Sequence, residues 1–184
     1  MELMNRYLPR YQFAEEHSLH VPAAPGRVLD IASRPEVVDD PVARQLIALR
    51  ELPNRLAGRL GFASNLQHRP AFSLAEFTPL GRDGESELAF GLAGRFWQSD
   101  YGLVPLADAC AFAALDATGL AKLVLNFTAQ PEGQGTRLTT RTRIWCGDEA
   151  SRRRFNLYWL LIRPASGLIR RRLLRRVHDA ALQP

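Results

Sequence analysis

The stretch from Asp148 to Pro184 constrains this chain more than any other. Phe155, Trp159, Ile162, Ser166, Ile169, Leu173 and Val177 recur at steps of three and four, which draws one stripe along a helix. Asp148 has N-cap chemistry, and Asp148 with Glu149 sets negative charge at the positive end of the helix dipole. Arginines take much of the remaining surface: Arg152, Arg153, Arg154, Arg163, Arg170, Arg171, Arg172, Arg175 and Arg176. Such a stripe needs an apolar surface to lie on. Pro164 removes one backbone hydrogen bond and crowds the carbonyl of Leu160, so a kink is expected there, and Gly167 leaves a side-chain-sized gap nearby. A straight helix of this length would measure roughly 50 Å, so a bend or a projecting end is needed in a domain of this size.

The length suits one domain over residues 1–184, and 46% hydrophobic residues are enough for a core. The net charge is +5, almost all of its positive side arginine, because Lys122 is the only lysine. Cys110 and Cys146 are too few for a disulfide framework and read as small buried hydrophobes. Met1 to Phe13 has no apolar run of the signal-peptide kind, and no segment has the roughly 18 apolar residues of a membrane span. The expected location is the cytoplasm.

Upstream, period-two patterns dominate. Tyr11 to Val21 reads as a strand with Tyr11, Phe13, His17, Leu19 and Val21 on one face, interrupted by Glu15. Gly26 to Ser33 predicts a short helix ended by Arg34-Pro35. Asp40-Pro41 predicts another, with Val42, Leu46 and Leu49 inward, closed by Leu52-Pro53. Asn54 to Arg69 reads as a loop, Ser73 to Glu76 as a turn and Phe77 to Leu80 as a strand. Glu87 to Trp97 predicts a strand with Leu88, Phe90, Leu92 and Phe96 on one face and Ala89, Gly91 and Ala93 on the other, its glycines suggesting bending or close approach of another element. Gln98 to Gly119 crosses over with a short helix in Leu106 to Leu115. Leu120 to Ala129 and Thr136 to Cys146 predict two more strands. The second alternates between Leu138, Thr140, Thr142, Ile144 and Cys146 on one face and Arg137, Thr139, Arg141, Arg143 and Trp145 on a face expected to be wet.

Strand, helices, antiparallel strands and a long terminal helix make an α+β chain: a curved antiparallel sheet wrapped around its C-terminal helix, a helix-grip. The stretch Leu19-His20-Val21-Pro22-Ala23-Ala24-Pro25-Gly26-Arg27-Val28-Leu29 resembles the strand-to-helix turn of the START-like (SRPBCC, Bet v 1-like) superfamily. So does Trp159-Leu160-Leu161-Ile162-Arg163-Pro164-Ala165-Ser166-Gly167-Leu168-Ile169-Arg170. With Gly94-Arg95-Phe96-Trp97 and Lys122 to Phe127, the chain is similar to a bacterial branch labelled polyketide cyclase/dehydrase-like. The resemblance spans about Tyr11 to Val177. It implies the fold and leaves function open, because the superfamily hosts carriers, enzymes and regulators. Pro25-Gly26 replaces the usual Pro-Glu, so the first helix should be poorly capped.

A helix-grip encloses space between sheet and helix, where apolar ligands enter. The expected lining is Phe90, Leu92, Phe96, Leu125, Phe127, Thr140, Thr142, Trp159 and Ile162, which as a set is also ordinary core. Inward Thr140 and Thr142 each need a hydrogen-bond partner. Arg95 and Tyr158 are the candidate polar pocket groups. Phe155 to Ile162 is apolar almost all round, so the Gln98–Gly119 crossing or a second subunit should cover its outer face, the crossing being favoured.

His17 and His20 lie on opposite faces of their strand, and no Cys/His spacing suits a metal. No phosphate loop or nucleophile elbow is present, and no cofactor is expected. The arginines lack interleaved aromatics, which argues against nucleic acid and leaves peripheral contact with an anionic membrane open. The reading is a carrier or sensor of a small apolar or amphipathic ligand, as monomer or homodimer. With no inward Asp, Glu or His expected, binding is favoured over the alternative, a polyketide cyclase/dehydrase-like enzyme. The third reading is a protein that docks on another macromolecule through its C-terminal helix.

Overall fold

Alternation in five segments produces one antiparallel sheet, which a computed structural model describes over residues 2–38, 41, 42, 45, 48 and 76–183. The strands are β1 (Phe13–Val21), β2 (Thr78–Asp83), β3 (Glu87–Gly94), β4 (Ala121–Glu132) and β5 (Gly135–Cys146). Their order across the sheet is β1-β5-β4-β3-β2, so β1 and β2 are the edges and the sheet does not close. The helices are α1 (Leu3–Tyr7), α2 (Pro25–Ala32), α3 (Pro35–Val38), α4 (Ala109–Ala114) and α5 (Glu149–Ala181). This is the expected α+β helix-grip. The helix read from Asp40-Pro41, the loop Asn54 to Arg69 and the turn at Ser73 lie outside the described residues.

Asp148 caps α5, accepting from Ser151 N at 2.8 Å and Gly119 N at 2.6 Å. These bonds to the charged form hold its carboxyl below the usual range. The helix then runs 33 residues through Pro164 without interruption. It packs on β1, β5, α2 and α3 and only slightly on β4. Its N-terminal half closes one core, where Phe155 and Trp159 meet Leu92, Phe96, Ile144 and Cys146. Its C-terminal end closes another, where Leu173, Leu174 and Val177 meet Val28, Leu29, Leu125, Phe127 and Leu138. As expected from Pro25-Gly26, α2 has no side-chain cap, and its proline sits in the first turn.

The sheet's other face is not simply wet. Met4 and Leu8 of the N-terminal segment, together with Phe112 of α4, bury Leu80, Ala89 and Val124. No periodic pattern marks the first ten residues. α1 is held there by Glu87, which is buried and accepts from Leu3 N at 2.7 Å, Met4 N at 3.2 Å and Asn126 Nδ2 at 2.7 Å. Gly91 is the close approach foreseen for its strand: a Cβ there would stand 2.7 Å from the Phe112 ring. Lys122 lies 4.6 Å from the centre of that ring and donates to the carbonyls of Ala113 and Leu115, which satisfies the end of α4.

A correction concerns the outer face of α5. The crossing sends Leu103 against the first core, where Trp97 just before it also packs, and α4 against β2 and β3, and it leaves Leu157, Leu160 and Leu161 exposed at 73%, 65% and 81%. The cysteines also divide. Cys146 is buried, with its thiol pushed up to about 12 by desolvation, while Cys110 is exposed. A thiol-disulfide dye at pH 8 should therefore react with one equivalent quickly in the native protein, and with the second only after denaturation. Two fast equivalents would contradict this packing.

Candidate functional site

Antiparallel register lines side chains into rows across the inner face, and three rows lie beneath the middle of α5. The first is apolar throughout: Phe13, Ile144, Leu123 and Leu92. The next reads Glu15, Thr142, Leu125 and Phe90. The third reads His17, Thr140, Phe127 and Leu88. Adjacent strands lie about 4.8 Å apart, so each row runs roughly 14 Å from β1 to β3. Along the second and third rows the surface turns from polar to apolar.

The polar end is a linked cluster. Glu15 keeps only 9% of its side chain exposed. Its Oε1 lies 2.8 Å from His17 Nε2, and its Oε2 accepts from Ser166 Oγ of α5 at 2.8 Å. A carboxylate only accepts, so Nε2 carries the hydrogen of the first bond. Gly167 makes room for this arrangement, because a Cβ there would stand 2.9 Å from Glu15 Oε1. Arg170 follows one turn after Ser166. Burial lowers its guanidinium pKa to about 10, and the charge of Glu15 opposes that shift. It remains a cation at neutral pH. Thr140 is 1% exposed, and its hydroxyl has no hydrogen-bond partner among the described residues. A buried hydroxyl without a partner costs about 1–3 kcal/mol, so the site carries an unmet demand for a polar atom.

Burial is incomplete along this stretch of α5. Phe155 and Trp159 on one side of this stretch are buried, as are Leu173, Leu174 and Val177 on the other. Between them Ile162, Ala165, Ser166, Ile169 and Arg170 are only half-buried, although they lie on the sheet side. Across the sheet, Phe77, Phe90 and Leu123 are also half-buried, and Phe77 and Leu123 touch both cores. His17 keeps 21% of its side chain exposed, which opens the cluster toward the β1 edge.

The residues singled out in the sequence fall as follows. Phe90, Leu125 and Phe127 pack in or against the core at the C-terminal end of α5, and Leu92, Phe96, Trp159 and Ile162 in or against the other. Thr140 and Thr142 lie between them on β5, facing the helix side. Tyr158 stacks edge-on against Phe155, 5.6 Å between ring centres. Arg95 is exposed, beyond the end of β3, and its Nε donates to the Gly119 carbonyl at 3.2 Å. No bulge turns it inward, so it is no pocket group. The expectation of no inward carboxylate or imidazole is also overturned, by Glu15 and His17. Glu15 looked like a fault in a strand's alternation, and its signal was the small pair Ser166-Gly167 on the facing stripe.

A hollow of about 290 Å³ lies away from this cluster, between the start of β2 and the crossing, lined by Glu76 to Pro79 and Leu103 to Ala107. Among the described residues no three His, Cys, Asp or Glu side chains could hold a metal ion together. No family model matches the chain, and no curated protein matches it. Among solved structures it is similar to TTHA0849 of Thermus thermophilus, with 12% identity over 92% of this chain and 97% of that one, at a TM-score of 0.34.

Proposed function

We propose that this chain is a START-like (SRPBCC) carrier or sensor. It holds a small molecule with one polar end and an apolar body between the sheet and the C-terminal helix. The observation that carries this reading is the buried Thr140 hydroxyl, which has no partner among the described residues, beside the Glu15–His17–Ser166 cluster, where the sheet side of the helix is only half-buried. The rows give the ligand its direction: head over Thr140 and Thr142, body toward Phe127, Leu125 and Phe90. Glu15 and Arg170 balance in charge, so an uncharged hydroxyl or carbonyl head suits the cluster better than an ion. Mostly apolar walls with a few convergent polar groups are the usual make-up of such sites.

Thr140→Val tests this with opposite signs in one variant. The substitution removes a hydroxyl that lacks a partner and keeps the side chain's shape. The apo protein should gain about 1–2 kcal/mol of stability. Ligand binding should weaken by about tenfold, the loss of one hydrogen bond. Thermal shift against medium-chain alcohols, methyl ketones and aromatic polyketides, with plain hydrocarbons as controls, reads both. A less stable variant that keeps the wild-type shifts would sink the assignment.

Glu15 and His17 also favour a second reading, the cyclase/dehydrase-like enzyme. A carboxylate hydrogen-bonded to an imidazole is an acid–base pair, and it stands beside a hydroxyl able to orient a carbonyl. Turnover of a β-keto thioester mimic that disappears in both Glu15→Gln and His17→Gln would select it. Binding without turnover keeps the carrier.

A further inference from the structure

We propose that the outward face of α5 docks on an anionic lipid surface. Helical spacing puts Leu157, Leu160, Leu161, Pro164 and Leu168 on one stripe, opposite the stripe that meets the sheet. The four leucines are 73%, 65%, 81% and 45% exposed. From Leu157 to Leu168 the stripe is roughly 16 Å long. Exposed leucines gathered in one band mark an interaction surface, whereas scattered ones need no explanation.

Charge identifies the partner. Exposed arginines bracket the band, Arg154 before it and Arg171 and Arg175 after it, and Arg163 flanks it. From Ala150 to His178 there is no Asp or Glu. A second copy of the chain seated on this stripe would set arginine against arginine with no acid to meet them. A nucleic acid would take the arginines and leave the leucines in water. An anionic bilayer satisfies both, with headgroup phosphates on the arginines and leucines just below them. The helix would lie in the surface plane, since no helix among the described residues is long and apolar enough to cross a membrane.

The test is sedimentation with large vesicles of phosphatidylcholine alone or mixed equally with phosphatidylglycerol. The full chain should bind the anionic vesicles over tenfold more tightly than the neutral ones, since each arginine near such a surface contributes about fivefold. Leu157→Asp/Leu161→Asp sits on exposed positions, so its melting temperature should match wild type while its binding falls more than tenfold. Arg154→Gln/Arg171→Gln should lose affinity at low salt and little at high salt. Three results would overturn the proposal. One is no binding to anionic vesicles. Another is full binding by the double-aspartate variant, which would reduce the effect to charge alone. The third is a wild-type dimer by light scattering that the aspartates disperse, with no vesicle binding, which would make the second copy the occupant.

Discussion

Glu15→Ala should destabilise the protein by about 3 kcal/mol, more than a surface charge change can produce. The carboxylate is nearly buried and accepts from both His17 and Ser166. Alanine leaves those two donors without an acceptor and leaves the half-buried Arg170 without a countercharge. The melting temperature should fall by roughly 6–12 °C. Glu15→Gln keeps one acceptor oxygen, but its amide nitrogen replaces the other, so one of the two donors loses its acceptor along with the charge; it should cost less than alanine and more than the charge alone. Glu15→Leu/Arg170→Met should recover the part of the loss that comes from the unpaired Arg170 charge, because replacing a buried pair with apolar groups of similar size is often neutral, while His17 and Ser166 still lack their acceptor. If the single substitutions simply add in the double variant, Glu15 and Arg170 are not coupled and the cluster is only a solvated edge.

Phe155→Ala should cost about 3–5 kcal/mol, the range for emptying a buried aromatic site. Phe155 is 1% exposed and is the hub of the core at the start of α5. Its ring centre lies 4.8 Å from that of Phe13, 5.6 Å from Tyr158, 5.9 Å from Trp159 and 6.3 Å from Phe96. Those partners come from β1, from α5 itself and from the segment just after β3, so none can move in to fill the space without shifting its neighbours. Denaturant unfolding should show the midpoint falling with an unchanged slope. A loss below about 1 kcal/mol would mean that α5 is not anchored by this residue. Leu161→Ala is the control: it is exposed, and its effect should stay within about 0.5 kcal/mol.

Period-two and three-four patterns carry the fold well, because the side chains that make them are large and apolar. The division of β3 and β5 into two faces reads correctly residue by residue, as does the Asp148 cap, although the outer face of β5 is not wet as expected: Thr139 is buried and Trp145 packs against the outer core. Two things did not read. The short α1 has no periodic pattern, and its place depends on Glu87, which is 84 residues from Leu3 in sequence and is bound through backbone N–H groups that any residue carries. The polar cluster failed for another reason. Glu15 and His17 lie on the inner face of an edge strand, where a charged residue reads as an interruption. Their partners Ser166 and Arg170 come from an element 151 positions away at the closest pairing. Alternation assigns a face and does not show what waits opposite it. Arg95 shows the converse. It stands between two residues that turn inward or pack tightly, yet its own strand has ended at Gly94, and the chain carries it out to Gly119.

Whether a ligand occupies the space between sheet and helix is decided by native mass spectrometry of the freshly purified chain, followed by denaturing extraction. An adduct is expected that survives gentle ionisation and is absent or much reduced in Thr140→Val. On extraction it should release a molecule with a single hydroxyl or carbonyl head on an apolar body. A clean apo mass, with no thermal shift from any amphipathic candidate, would contradict the carrier reading and leave that space as core alone.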